Sequence, residues 1–151
     1  MEHVKLIDVT AANWEQVCCL NPGKEGREFV ASNSFSIAQS VFESGWVIKA
    51  IQKGNALIGF AMYGFCEELD GYELCRFMLD WRYQGNGYGK AALQQILQEM
   101  FHRYGCDKIY LSTSPNNSKG RHVYESAGFV KTGATCGEDD DLEEIYCLQR
   151  N

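Results

Sequence analysis

The sequence predicts an α/β fold with a mixed, mostly antiparallel sheet, on three observations. A glycine-rich segment, Gln84-Gly85-Asn86-Gly87-Tyr88-Gly89-Lys90, joins the apolar run 74–79 to a helix-forming run that continues to about residue 104. A β-rich run, residues 108–113, follows, so strand, turn, helix and parallel strand make one βαβ unit. Upstream, the β-rich runs 46–52, 56–65 and 72–79 are joined by the turn signals Lys53-Gly54-Asn55 and Asp70-Gly71, which predicts an antiparallel meander.

Each element has a local reason. Residues 4–9 read as a first strand. Asn13 is placed to cap a short helix carrying Trp14, Val17, Cys18 and Leu20, which Pro22-Gly23 breaks. Residues 25–44 read as one or two helices with Phe29, Ile37, Val41 and Phe42 as core, the second starting at Ser34 or Ser36. The helix from Gly87 places Ala91, Leu93, Ile96, Leu97 and Met100 at helical spacing, so one face packs on the sheet. Residues 117–127 form a helix ended by Gly128. Residues 129–132 and 144–148 are final strands, and the acidic run 138–141 is a solvated turn, with attraction of a cation as its other reading.

Composition bounds the function. A chain of 151 residues with two prolines and no low-complexity tract is expected to be one domain spanning 1–151. The net charge of −6 argues against a nucleic-acid partner and suits a cationic ligand. No apolar run approaches the roughly 20 residues that span a membrane. The odd count of seven cysteines, with no Cys-x-x-Cys, indicates neither a disulfide framework nor a zinc site, and the three histidines lack metal spacing. A reduced cytoplasm is the expected compartment.

The glycine turn carries the chemistry. A strand that ends in a glycine-rich turn and opens into a helix presents free backbone N–H groups and the positive end of the helix dipole to a phosphate. A P-loop fails, because Gln84 stands where its first glycine belongs and Ala91 where Ser or Thr would bind magnesium. A dinucleotide fingerprint, Gly87-x-Gly89-x-x-Ala92 with Asp107 further on, is a weak match, with seven residues separating Leu79 from Gly87.

The third reading is Gln/Arg-x-x-Gly-x-Gly/Ala, met by Gln84, Gly87 and Gly89. It resembles the pyrophosphate motif of the GCN5-related N-acetyltransferases (GNAT), which use acetyl-coenzyme A. Tyr124-Glu125-Ser126-Ala127-Gly128-Phe129 fills the place of that family's Tyr and Gly-Phe, and Asn117 stands seven positions before the Tyr, as is typical there. Residues 29–38 and 76–92 look like segments of bacterial spermidine/spermine and diamine acetyltransferases.

The resemblance implies a GNAT-like sheet of about six to seven strands, flanked by helices, with a bulged, splayed central strand. Phe77, Met78 and Leu79 would lie along the pantetheine arm. Gln84, Gly85, Asn86, Gly87, Tyr88, Gly89 and Lys90 would hold the pyrophosphate, with Asn117, Lys119 and Arg121 nearby. It implies an acetyl transfer from acetyl-CoA to a primary amine, most like a polyamine, with no metal. Tyr124 matches the family's acid position, although a Tyr packed on Phe129 in the core fits the same spacing. Glu73 occupies the place of a catalytic glutamate in some members, against the bland reading of an exposed strand residue. Glu28 is the rival base and, with Phe35, a substrate-binding candidate. Glu25 and Glu43 rank behind. Trp46, Phe35 and Tyr63 are candidates to line an aliphatic channel. The backbone N–H near Met78 or Leu79 is the expected oxyanion donor. Transfer to another small amine or a protein amine, and a catalytically silent acyl-CoA sensor, remain the alternatives. Homodimers are common in the family, and the sequence leaves the oligomeric state open.

Overall fold

A computed structural model of the chain describes residues 3–151. Strands β1 (Val4–Asp8), β2 (Val47–Lys53), β3 (Ala56–Cys66) and β4 (Gly71–Leu79) pair antiparallel in sequence order. β4 then pairs parallel with β5 (Lys108–Thr113), and β5 pairs antiparallel with β7 (Glu143–Gln149), which pairs with β6 (Val130–Cys136) at the edge. The result is one seven-stranded, mostly antiparallel sheet in the order β1-β2-β3-β4-β5-β7-β6.

Helices cover both faces. One face carries α4 (Tyr88–Tyr104) and α5 (Ser118–Ser126). Ala92, Leu93, Ile96, Leu97 and Met100 of α4 are buried with Ile51, Ile58, Leu74, Leu79, Ile109 and Leu111, and Val123 and Tyr124 of α5 pack on the same core. Burial of each large aliphatic side chain contributes about 1.5–3 kcal/mol. The other face carries α1 (Trp14–Cys19) and α3 (Asn33–Phe42), with a short turn of helix, α2 (Gly23–Gly26), between them. Val17 and Leu20 are buried there with Phe60, Met62 and Met78, and Ile37 packs against them.

The N-terminal third departs from its sequence pattern. Asn13 sits at the start of α1, but its side chain serves the preceding turn: Oδ1 accepts from Thr10 N at 2.8 Å and Nδ2 donates to the Asp8 carbonyl. Neither Ser34 nor Ser36 starts α3. Ser32 does, its Oγ accepting from Phe35 N at 3.1 Å. Val41 and Phe42 are not core residues, being 71% and 87% exposed. The buried face of α3 is Asn33, Ser36 and half-buried Ile37 and Ser40. Asn33 Nδ2 donates to the Val17 carbonyl at 2.9 Å and Ser36 Oγ to Ser32 O at 3.1 Å. Satisfied polar groups, rather than the apolar stripe, decide which side of this helix is buried.

Two features of β4 shape the site. In the β3–β4 ladder Arg76 lies opposite Met62 and Leu74 opposite Tyr63, so Cys75 is an extra residue, a β-bulge. The bulge turns both Cys75 and Arg76 to the α1/α3 face, where Arg76 donates to Gln39 of α3 at 3.2 Å. Parallel pairing with β5 is confined to Tyr72 with Ile109 and Glu73 with Tyr110. Beyond Glu73 the bulged strand bends away, and a gap opens between the carboxyl ends of β4 and β5.

Candidate functional site

Both elements that follow β4 and β5 lead into helices whose N-termini stand at this gap. In sheets with parallel strands, ligands sit at such carboxyl-end crevices. The chain leaves β4 through Asp80, which is buried and accepts from Asn21 N at 3.0 Å, Arg82 N at 3.1 Å and Arg82 Nε at 2.7 Å. The Arg82 bonds and the Asn21 N–H hold its carboxyl below the usual range, against its desolvation. The glycine turn follows. Gly85 and Gly87 have φ of +83° and +84°, a left-handed backbone that glycine adopts without the Cβ penalty. Nothing lies within 4 Å of a Cβ placed on Gly85, so this side of the turn is open. Ala91 N to Gly87 O, at 3.3 Å, is the first bond of α4, so the N–H groups of Tyr88, Gly89 and Lys90 have no intrahelical acceptor.

The candidate ligands of this turn divide into backbone and side chain. Gln84 turns its carboxamide inward, donating to the carbonyls of Leu79 at 2.9 Å and Pro22 at 3.1 Å, so its side chain pins the turn. Asn86 Nδ2 donates to Gln84 O at 3.3 Å. Tyr88 is half-buried with the Lys53 ammonium over its ring, and Lys90 is exposed. Asn117 caps α5, accepting from Gly120 N at 3.1 Å and donating to Thr113 Oγ1 at 3.0 Å, so its side chain is committed to structure. Lys119 is exposed and lies 4.0 Å from Glu25. Arg121 donates to the Pro115 carbonyl at 2.9 Å rather than facing the turn.

Along β4 the backbone phase decides which groups face the gap. Asp80 N donates to Ile58 O at 2.7 Å. Alternation along the antiparallel ladder then directs Met78 N–H to β3 and turns Phe77 and Leu79 N–H outward, into the gap. Of the two expected oxyanion donors, Leu79 therefore has the free N–H and Met78 does not.

Tyr124 stands on the α4/α5 side of the gap, its ring 6.5 Å from Phe77 and 6.1 Å from Phe129. Among the described residues no hydrogen bond engages its hydroxyl. Desolvation, with a smaller push from the Glu143 charge, raises it to about 12. Glu73 is half-buried on the α1/α3 side. Burial raises its carboxyl above the ordinary range, helped by the charges of Glu143 and Glu68 and opposed by the Cys75 thiol and Arg76. Burial, with Glu73 nearby, also lifts Cys75 to about 12, so it is a neutral thiol rather than a nucleophile.

A family model described as "Acetyltransferase (GNAT) family" matches residues 10–129. The chain belongs to that family. Spermine/spermidine N(1)-acetyltransferase of Bacillus subtilis (strain 168) is 41% identical over 83 residues, 51% of this chain and 55% of that protein. Spermidine N(1)-acetyltransferase of Vibrio cholerae is 32% identical over 73 residues, 44% of this chain and 42% of that one. The chain thus spans about half the length of the curated relatives it matches. In three dimensions this GNAT chain superposes on aminoglycoside acetyltransferase AAC(6')-Ib in complex with coenzyme A, with a TM-score of 0.80, 17% identity and coverage of 97% and 95% of the two chains. Spermidine N-acetyltransferase from Vibrio cholerae with CoA and spermine gives a TM-score of 0.77, 16% identity and the same coverages. At these identities the superpositions show the shared GNAT fold.

Within this fold, the remaining candidates scatter. Phe35 is 60% exposed in the first turn of α3. Glu28 is exposed in the segment between α2 and α3. Tyr63 lines no channel: it is fully buried and its hydroxyl donates to Glu99 of α4. Trp46 packs, half-buried, in the core of the α1/α3 face. A cavity of about 360 Å³, lined by Cys18, Leu20, Arg27, Val30, Asn33 and Met78, lies on that face beside the end of β4. Sequence reading passed over Glu143. It stands at the start of β7, next to the acidic run 138–141, and only the strand order brings it beside β5, where Ser112 Oγ donates to its Oε1 at 2.8 Å. Among the described residues no helix is long and apolar enough to cross a membrane.

Proposed function

We propose that the protein is an acetyl-CoA-dependent N-acetyltransferase acting on a primary amine, and that the amine is a polyamine such as spermidine or spermine. The observation that carries this reading is the β4–β5 gap. A glycine turn of phosphate-binding type and a tyrosine hydroxyl with no hydrogen-bond partner among the described residues lie on one side of it, a half-buried carboxylate lies on the other, and an outward-facing strand N–H lies between them.

The chain fits the coenzyme. The N–H groups of Tyr88, Gly89 and Lys90, at the positive end of a 17-residue helix, suit the pyrophosphate. The outward backbone of Phe77 and Leu79 suits the pantetheine arm. Bound there, acetyl-CoA supplies an acetyl group already activated as a thioester.

The chain's own residues manage protons and charge. Glu73, more basic than an exposed glutamate, takes the proton from the ammonium, directly or through a water. Leu79 N–H, turned outward into the gap, would stabilise the negative charge that develops on the carbonyl oxygen of the acetyl group. Tyr124, neutral across the working range, donates a proton to the departing sulfur. A thiol near pKa 8.5 is already a tolerable leaving group, so this last step is assistance. Glu28 and Phe35, on the segment that leads into and through the start of α3, extend the amine side of the site.

The polyamine choice is supported by the acidic surroundings of the gap, where the charges of Glu143 and Glu68 act on Glu73, and by the partial likeness to spermine/spermidine acetyltransferases. The test is thiol release from acetyl-CoA across an amine panel of spermidine, spermine, monoamines, an aminoglycoside and an N-terminal peptide. The expected result is turnover with the highest kcat/KM for spermidine or spermine, and a preference that shrinks with salt. Coenzyme binding without turnover on any amine would replace this reading with that of an acyl-CoA sensor.

A further inference from the structure

Glu143 is held in a way its acidic neighbours are not. Ser112 Oγ donates to one carboxylate oxygen at 2.8 Å, which leaves Oε2 with open acceptor capacity. The adjacent Glu144 is paired with Lys131 at 3.2 Å, whereas among the described residues no lysine or arginine pairs with Glu143. Its second oxygen is therefore available to accept a charge-assisted hydrogen bond from an arriving ammonium.

The strand register sets where this charge sits. Tyr110 of β5 lies abreast of Glu73 of β4. Ser112 is two residues further on and points to the same face, roughly 7 Å along the strand. Ile109 and Leu111, the residues that alternate with them, are buried in the α4 core, so Tyr110 and Ser112 face the α1/α3 side, as Glu73 does. Glu73 and Glu143 therefore flank the gap from opposite banks on one face. The Glu143 charge acts on both Glu73 and the Tyr124 hydroxyl, so it lies near both.

We propose that Glu143, positioned by Ser112, is a specificity-determining residue of the acetyl-transfer site that receives a second ammonium group of the acceptor. This rests on reading the gap as an N-acetyltransferase site. One nitrogen of a diamine or polyamine gives up its proton to Glu73 and attacks. The neighbouring charged nitrogen bonds to Oε2 of Glu143 and sets the register of the chain across the gap. A monoamine has nothing to place there.

The experiment compares Glu143→Gln with wild type on spermidine and on n-butylamine, by thiol release, and measures spermidine binding by calorimetry in the presence of coenzyme A. Glu143→Gln is expected to lower the spermidine-to-butylamine ratio of kcat/KM about tenfold or more, with the change in the KM for spermidine, and to weaken spermidine binding by a similar factor. Ser112→Ala, which frees the carboxylate without removing it, moves the ratio in the same direction by less, and serves as the second variant should Glu143→Gln fold poorly. An unchanged ratio and unchanged spermidine binding in either folded variant overturns the proposal. So does an equal fall in kcat for both amines, which assigns Glu143 to the proton transfers instead. Should wild type acetylate no amine at all, the N-acetyltransferase reading fails, and the binding comparison alone decides whether Glu143 anchors the polyamine.

Discussion

The α4/α5 side and the α1/α3 side of the gap are built from different amounts of chain. On the α4/α5 side, residues 79–90 run without interruption from strand end through glycine turn to helix start, and Thr113, Asn117 and Tyr124 follow in the same order on the next strand and helix. Each position follows from a neighbour a few residues away. On the α1/α3 side, Glu73 and Ser112 come from adjacent strands, Glu143 joins Ser112 from 31 residues further on, and Asn33 meets Met78 across 45. The features we assign to the coenzyme are thus local, and those we assign to the amine are assembled at long range. Substitutions on the first side should disturb coenzyme binding and those on the second side the amine, with Tyr124 and Glu73, at the seam, disturbing turnover itself.

The sharpest break of this division is at the seam. Tyr124→Phe removes a hydroxyl with no hydrogen-bond partner among the described residues, so stability and coenzyme A affinity should hardly move, while kcat falls roughly 10²–10⁴-fold. Steady-state thiol release and calorimetry with coenzyme A check both. A fall of less than about threefold in kcat means that the sulfur takes its proton from water.

Glu73→Gln should lower kcat about 10²-fold or more for every amine. It also carries a pH signature. A carboxylate whose pKa is raised is active as a base only when deprotonated. Activity is therefore full above its pKa and lost as pH falls through it, at a higher pH than an ordinary glutamate would give. A kcat/KM profile should show this acidic limb in wild type and lose it in the variant. A limb that survives Glu73→Gln moves the base to Glu28 or water.

The α4/α5 side is sharpened by two glycines two residues apart. Gly87 has φ +84°, so Gly87→Val should cost about 1–3 kcal/mol of stability and weaken coenzyme A binding roughly 10–100-fold. Gly89 has helical backbone, and a Cβ there meets only Leu79 Cδ1 at 3.6 Å. Gly89→Ala should therefore leave stability nearly unchanged, and any loss of coenzyme A affinity in it reports the ligand's approach to the backbone rather than strain. Thermal unfolding and calorimetry on both variants separate the two effects, and full coenzyme affinity in both would remove the pyrophosphate from this turn.

The smallest expected effect is at Glu28. It is exposed, so Glu28→Gln should raise the KM for spermidine by less than about threefold, more than for a monoamine, because exposed ion pairs contribute about 0–1 kcal/mol. Added salt should abolish the difference as the screening length falls below about 8 Å. A tenfold effect that persists in salt would place Glu28 inside the site rather than at its approach.

Local rules carried much of the architecture. The meander, the βαβ unit and the starts of α4 and α5 follow from turn signals, helical spacing and capping residues close in sequence, and they match the observed elements within a few residues. The glycine turn was legible because backbone conformation is a local property, and its motif, with Tyr124 and Asn117 in order, was enough to point to the family. The same rules failed for α3, where Val41 and Phe42 look like core and are exposed, because Asn33 and Ser36 find hydrogen bonds on the buried side. Nor could they locate the carbonyls, the N–H and the hydroxyl on which the Gln84 and Asn117 side chains are spent. By itself the sequence determined the strands, the helices, the glycine turn and the order of motifs. Only the tertiary structure decided that a bulge at Cys75 would open β4 from β5, that Leu79 rather than Met78 would present its N–H there, and that Ser112 would draw Glu143 to the opposite bank. The reason is physical: dihedral preference and periodicity act over a few residues, whereas strand register and the pairing of buried polar groups are settled between segments that meet only after the chain has folded.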